Sequence, residues 1–362
     1  MSLYFSFSIG CLWLLFSAAN VLGQTTAPKY SNEFMKIGVG ARAAGMGNAQ
    51  TAVVNDVTAG YWNPAGLLQM DTRHEVGLMH SEYFAGIAKY DYAAFATQID
   101  PDRRLAVSAI RLGIDDIPNT LNLQDGNSFN YDNITDFSVA DLGIMVSYAQ
   151  RMKFLDGLSF GGNLKIINRT VGPFATAWGF GLDFGAQYRK GGLMLGASAM
   201  DVTNTFNAWT FNTELLEDAF VATGNEIPQN SVEITLPSVN LGVAYLFFRE
   251  RAVNLIPALD INTHFDGPRN VLANAGPVSF DTRFGLEASY KQIVFLRGGL
   301  MNVQYVEDIG GEEQLDVFPT AGIGVQYKFF ALDYALTNVG DFQGNLYSHL
   351  ISLRLFFDRV AL

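Results

Sequence analysis

From residue 74 to residue 357 the chain alternates between two kinds of side chain. Across residues 178–189, Trp178, Phe180, Leu182, Phe184, Ala186 and Tyr188 hold one parity, while Gly179, Gly181, Asp183, Gly185, Gln187 and Arg189 hold the other. Period two marks a β-strand, whose side chains point to opposite faces in turn. The split recurs at 158–167, 239–247, 284–290, 321–329, 330–338 and 347–357, always with aromatic and aliphatic residues on one face. The other face carries Gly, Asn, Ser, Gln, Lys and Asp. Fourteen such strands are expected, near residues 74–80, 89–98, 104–114, 140–150, 158–168, 176–189, 192–201, 238–248, 252–264, 279–290, 292–302, 319–328, 330–338 and 346–357. Most have about the ten residues that a tilted strand needs to cross a bilayer, and an even number closes a barrel with both ends on one side.

The connections sort by length. Those after even-numbered strands are short (99–103, 151–157, 190–191, 248–251, 291 and 329), whereas most after odd-numbered strands are longer, notably 115–139, 201–237, 265–278 and 303–318. Tight turns on one rim and long loops on the other are the pattern of an outer-membrane barrel, with the short side periplasmic. Charge follows the same division. Ten of the 23 basic residues lie in or beside the short turns, among them Arg103, Arg151, Lys190, Arg251, Lys291 and Lys328, while the long loops gather acids from Asp115 to Asp316. The net charge of −12 argues against a nucleic-acid partner, which would need a basic face.

Ahead of the strands, residues 34–67 are glycine-rich and do not alternate. Gly38, Gly40, Gly45 and Gly47 give backbone freedom, and Asp56 can cap a helical turn over 57–62 that must stop before Pro64. A nucleotide-binding loop is excluded: no buried strand precedes these glycines, and no Gly-Lys-Ser/Thr occurs. The run from Ile37 to Leu67, IGVGARAAGMGNAQTAVVNDVTAGYWNPAGL, resembles the N-terminal signature of the PorV/PorQ family of Bacteroidetes outer-membrane proteins, which are similar in fold to FadL fatty-acid channels. The likeness covers this run in detail and the rest of the chain in strand pattern. It implies an all-β transmembrane barrel with residues 34–67 as a hatch inside the lumen, and Asn63, Pro64, Ala65 and Gly66 leading into the first strand.

The expected organisation is a signal peptide at 1–23, a periplasmic segment and hatch at 24–70, and the barrel at 71–362. Residues 1–23 carry no charge and hold the apolar run 9–16. The single cysteine, Cys11, falls inside this segment, so neither a disulfide nor a thiolate metal site is expected in the mature chain. The location expected is the outer membrane of a Gram-negative bacterium, with both termini periplasmic.

No catalytic constellation is visible. His74, His80, His264 and His349 are scattered, with no His-Glu-x-x-His helix and no Gly-x-Ser-x-Gly elbow, so no enzyme and no cofactor are expected. Asp115, Asp116 and Asn119, and Asp308 with Glu312 and Glu313, read as solvated loop charge rather than a cation site. The long 201–237 connection carries Phe206, Trp209, Phe211, Leu215, Leu216 and Phe220 among acids, with a short amphipathic helix over 212–221. Those six residues are the expected partner-binding surface. Followed through, the resemblance implies a noncatalytic adaptor of the type IX secretion system, binding translocon or attachment-complex proteins and cargo C-terminal domains. The alternative is a passive FadL-like channel for hydrophobic small molecules, whose glycine-lined lumen leaves a path and whose hatch moves.

Overall fold

The computed structural model describes residues 31–125, 128–307, 311, 313–337 and 348–359; the expected signal peptide lies outside them. Fourteen antiparallel strands make one closed sheet: β1 (Thr72–Tyr83), β2 (Ala88–Asp100), β3 (Arg103–Asn119), β4 (Thr135–Arg151), β5 (Leu158–Val171), β6 (Ala175–Lys190), β7 (Leu193–Met200, continued by Phe206–Phe211), β8 (Ser231–Ile234, continued by Ser238–Tyr245), β9 (Val253–His264), β10 (Val278–Tyr290), β11 (Val294–Glu307), β12 (Glu313–Tyr327), β13 (Phe330–Thr337) and β14 (Ser348–Arg359). Each strand pairs with its neighbours in sequence. The sheet closes where β1 meets β14, from Thr72 opposite Arg359 to Glu82 opposite His349. No free edge is left in the ring, which removes the hazard of unpaired backbone groups in lipid.

The alternation read from the sequence is the alternation of the wall. Leu78, Phe95, Val107, Val146, Leu164 and Phe180 are exposed on successive strands of one half, and Leu241, Ile261, Phe284, Leu296, Ile323 and Leu332 continue the band around the other. Between them, Asn163, Asp183, Gln187, Asp260, Glu287 and Arg297 are buried inward. An apolar band encircling a polar interior suits only hydrocarbon outside, so the sheet is a transmembrane barrel.

Several strands run past the expected limits on the long-loop side. β3 and β4 continue through a bulge between Ile114 and Ile117, and β11 and β12 through another between Met301 and Gln304. The larger correction concerns residues 201–237. Phe206, Trp209 and Phe211 are not in a loop: after a break at 201–205 they resume β7 against β6, with Phe206 opposite Phe180 and Phe211 opposite Ala175. The break forms because Asp201, at φ 56°, turns inward, where Lys165 pairs with it and Thr205 Oγ1 donates to it at 2.6 Å. The true connection is residues 212–230, and it carries helix α3 (Thr213–Thr223).

Candidate functional site

Residues 31–71 lie inside the barrel. After the left-handed Asn32, a 3-10 turn (Glu33–Lys36) leads through Gly38 and Gly40, at φ 104° and 90°, values that only glycine takes without strain. Helix α1 (Ala41–Gly45) packs against β11–β14, and helix α2 (Ala59–Trp62) and the 3-10 turn Pro64–Gln69 pack mostly against β3–β6. The segment also binds itself: Trp62 Nε1 donates to Val39 O at 2.9 Å, and Tyr61 OH donates to Met35 O at 2.7 Å.

Its seat is built from the barrel's inward glycines. A Cβ on Gly299 would lie 2.7 Å from Gly47 Cα, one on Gly285 2.6 Å from Met46 O, one on Gly322 3.1 Å from Gly45 Cα, and one on Gly161 2.9 Å from Pro64 Cβ. The small residues on the inner face are therefore filled positions. This overturns the expectation that a glycine-rich lumen leaves a solute path there: the missing side chains admit the backbone of 45–65 instead.

Among the hatch residues, Gly38 and Gly40 supply the turns, while Gly45 and Gly47 make the close approaches to the wall. Asn63 is fully buried. Its Nδ2 donates to Thr51 O at 2.9 Å, Ala186 O at 3.0 Å and Ala197 O at 3.3 Å, and its Oδ1 accepts from Ala65 N at 3.2 Å. Pro64 follows at the first position of the 3-10 turn, where its missing N–H costs nothing. Ala65 O accepts from Ser159 Oγ at 3.1 Å, and a Cβ on Gly66 would meet Val54 O at 2.7 Å. Asn63→Asp keeps the shape but aims carboxylate oxygen at three carbonyls. A loss of about 3 kcal/mol or more is expected in chemical unfolding of the detergent-solubilised barrel, against about 1–3 for Asn63→Ala.

A buried lattice of ion pairs ties this segment to the far wall. Arg42 grips Glu287 through Nε at 2.9 Å and Nη2 at 3.0 Å. Arg297 joins Glu287 to Asp333, both at 2.7 Å. Arg354 reaches Asp56 at 3.2 Å, Asp333 at 3.5 Å and Glu75 at 3.7 Å. Burial pushes the Asp56 carboxyl up, but Arg354 and then Arg42 outweigh it and hold Asp56 below the usual carboxylate range. Asp56 does not cap the helix, which starts at Ala59 with Thr58 at its N-cap; it closes the turn before it, one oxygen accepting from Thr58 N at 2.9 Å while the other faces the arginines. The charged strand residues were missed in the sequence. The signal was there, since a charge in mid-strand on the inward parity, as in Phe295-Leu296-Arg297-Gly298, has to be paired inside.

Above this plug, toward the long loops, is a partly open chamber of about 660 Å³. Met35, Tyr61 and Trp62 of the plug and Met145, Ile167 and Met200 of the wall line it, together with Asn240, Asn262, His264, Arg283, Asn302 and Gln304.

The six expected partner-binding residues do not form one surface. Phe206 points outward beside Phe180, ring centroids 6.0 Å apart, in the apolar band. Trp209 and Phe211 stack 6.1 Å apart on the opposite parity, with Arg169 over Trp209 and Trp209 Nε1 donating to Glu233 at 3.2 Å. On α3, Leu216 is buried and Phe220 half-buried, whereas Leu215 is exposed, because adjacent helical residues stand about 100° apart. Asp115 pairs with Lys89 at 3.1 Å, and Asp116 sits at the β3 bulge with φ 58°. Asp308 and Glu312 lie outside the described residues.

No protein-family model matches the chain, and no curated protein does. Solved structures do. The CymD monoaromatic hydrocarbon channel superposes with a TM-score of 0.54 at 14% identity, over 89% of this chain and 98% of that one. The Pseudomonas putida toluene transporter TodX gives 0.55 at 14% identity over 88% and 98%. A Pseudomonas aeruginosa FadL homologue gives 0.52 at 12% identity over 88% and 98%. At such identities the likeness speaks for architecture, and the chain has the fold of a FadL-like outer-membrane barrel.

Proposed function

We propose that the protein is an outer-membrane barrel that admits a small molecule from the long-loop side into the chamber above its plug, and that residues 31–71 gate onward passage. The observation that carries this reading is the chamber, a cavity of about 660 Å³ inside the wall and floored by the plug, within the range of pockets that enclose small ligands. The names of the fold neighbours, hydrocarbon channels and a toluene transporter, support small-molecule passage through this architecture. In this reading the short-turn rim and both chain ends are periplasmic, and the long acidic loops face outward.

A tether tests it. Ala41 N donates to Ser352 Oγ at 2.7 Å, so a disulfide between Ala41→Cys and Ser352→Cys would fasten the plug to β14. Solute uptake into proteoliposomes should fall at least tenfold on oxidation and return on reduction. Unchanged uptake in the oxidised protein would remove the plug as a gate.

One feature favours the second reading, a noncatalytic adaptor of the PorV/PorQ kind in type IX secretion. The plug is fastened by a buried ion lattice, while α3 holds Leu215 and Val221 out to solvent at 49% and 66% exposure. An adaptor should tolerate the tether and lose its co-purifying secretion partners when residues 213–223 are deleted. Retention of every partner by the deletion variant would count against α3 as the docking element.

A further inference from the structure

We infer that the chamber is built for a neutral, hydroxylated solute of sugar size, rather than for the hydrocarbons named in its fold neighbours; the inference rests on the small-molecule reading above. Three observations meet in one cavity. The first is the density of amides: Asn240 of β8, Asn262 of β9, Asn270 of the following loop, and Asn302 and Gln304 of β11 line one wall. An amide both donates and accepts, as a hydroxyl does, so a wall of amides matches a polyol group for group. Two of them are already aligned. Asn262, with its amide set to satisfy its neighbours, accepts from the Arg283 guanidinium at 2.8–3.0 Å and donates to Asn240 Oδ1 at 3.0 Å, while Asn240 Nδ2 donates to Ser198 Oγ at 3.2 Å. The arrangement holds both side chains in fixed orientations.

The second observation is that every cation lining the chamber is paired, four cations against five carboxylates. Lys36 pairs with Glu33 at 2.8 Å, Arg283 with Asp281 at 2.9 Å, Arg269 with Asp266 at 2.5 Å, and Lys165 with Asp183 at 2.7 Å and with Asp201. A cation already held by a carboxylate attracts an anion little, and the one carboxylate in excess is shared on Lys165, so neither sign of ion meets an unpaired partner there.

The third is an apolar wall. Tyr61, Trp62, Met145 and Ile167 line the chamber from the plug and from β4 and β5, on strands away from the amides of β8, β9 and β11 and beside the Lys165–Asp201 pair. A sugar ring has both characters, hydroxyls at its rim and C–H faces above and below. A hydrocarbon would satisfy only the second wall and would strip water from the first without replacing its hydrogen bonds.

The test uses the full chain in detergent, titrated calorimetrically with maltose, oleate and toluene, and the same protein in liposomes assayed for passage of each. Two wall variants accompany it. Asn240→Leu turns an amide apolar, and Asn302→Gly removes one while keeping the positive φ of 50° that a larger side chain would strain. Saturable maltose binding at one site, weakened about tenfold by each variant, with no saturable heat from oleate or toluene, is the result expected. Saturable oleate or toluene binding without maltose would overturn the inference, as would maltose binding indifferent to both variants. The liposome arm separates the two claims. Passage of toluene or oleate alone keeps the uptake reading and discards the polar solute; maltose binding without passage of any probe keeps the polar chamber and discards uptake; neither binding nor passage discards both.

Discussion

Arg297→Met should cost about 3–5 kcal/mol of barrel stability, the largest single-residue loss expected outside the backbone contacts. Arg297 is buried on β11 between Glu287 and Asp333 at 2.7 Å each, and its guanidinium fork serves both carboxylates at once. A methionine fills similar volume but leaves two buried carboxylates short of a partner, and desolvated charges without partners are the expensive case. The effect spreads to the plug, because Glu287 is also the bidentate acceptor of Arg42 and Asp333 also receives Arg354. Arg297→Lys should fall between wild type and Met, since an ammonium is a point charge without the fork. Urea unfolding in micelles, followed by the change in gel mobility on heating, measures the series. A loss below about 1 kcal/mol for Arg297→Met would put the lattice in the class of solvent-screened surface pairs instead.

How far this architecture could be read from the residues depends on whether the information was local. The outer face was legible strand by strand, because lipid contact demands an apolar residue at every second position and Trp178, Phe180 and Phe184 state that directly. β7 was legible only to Met200. Its continuation depends on Asp201 meeting Lys165, a contact from 36 residues away, and the alternation in 206–211 is interrupted by that turn. The glycines of 38–47 and residues 63–66 stand out in the sequence as a group, but their seat does not. An inward glycine looks the same whether it faces water or another backbone, and only the fold brings Gly47 to Gly299 or Gly45 to Gly322. The ion lattice was missed for the same reason. Glu287, Arg297 and Asp333 show by their inward parity that they need partners, but which partners they find, Arg42 of the plug and Arg354 of β14 among them, lies in distances between strands. In the chamber, Asn240, Asn262 and Asn302 belong to three strands and read singly as ordinary inward polar residues.

Two adjacent glycines on β11 should respond in opposite ways to the same substitution. Gly298 and Gly299 differ by one step of a period-two strand, so one side chain would point to lipid and the other into the lumen. A Cβ on Gly298 meets nothing nearer than Thr320 O at 4.0 Å, whereas a Cβ on Gly299 would lie 2.7 Å from Gly47 Cα and closer still to Gly47 N. Backbone on that side cannot yield as a flexible side chain can, and Gly47, at φ 59° with its own Cβ position 2.7 Å from Leu300 O and Phe284 O, is pressed between two strands. Gly298→Val should therefore be neutral or mildly stabilising, since valine suits a strand better than glycine and adds to the apolar band. Gly299→Val leaves β11 able to pair with β10 and β12 but denies residues 46–47 their seat. It should cost at least the 1–3 kcal/mol usual for overpacking. Because the clash falls at the plug and not within the sheet, the barrel should still assemble with residues 31–71 unseated. Limited proteolysis should then cut the plug at least tenfold faster in Gly299→Val than in Gly298→Val, and planar bilayers should record an open conductance for the first alone. Equal protease resistance in the two variants would mean that the plug does not depend on this contact, and the filled-lumen account of the inward glycines would fail with it.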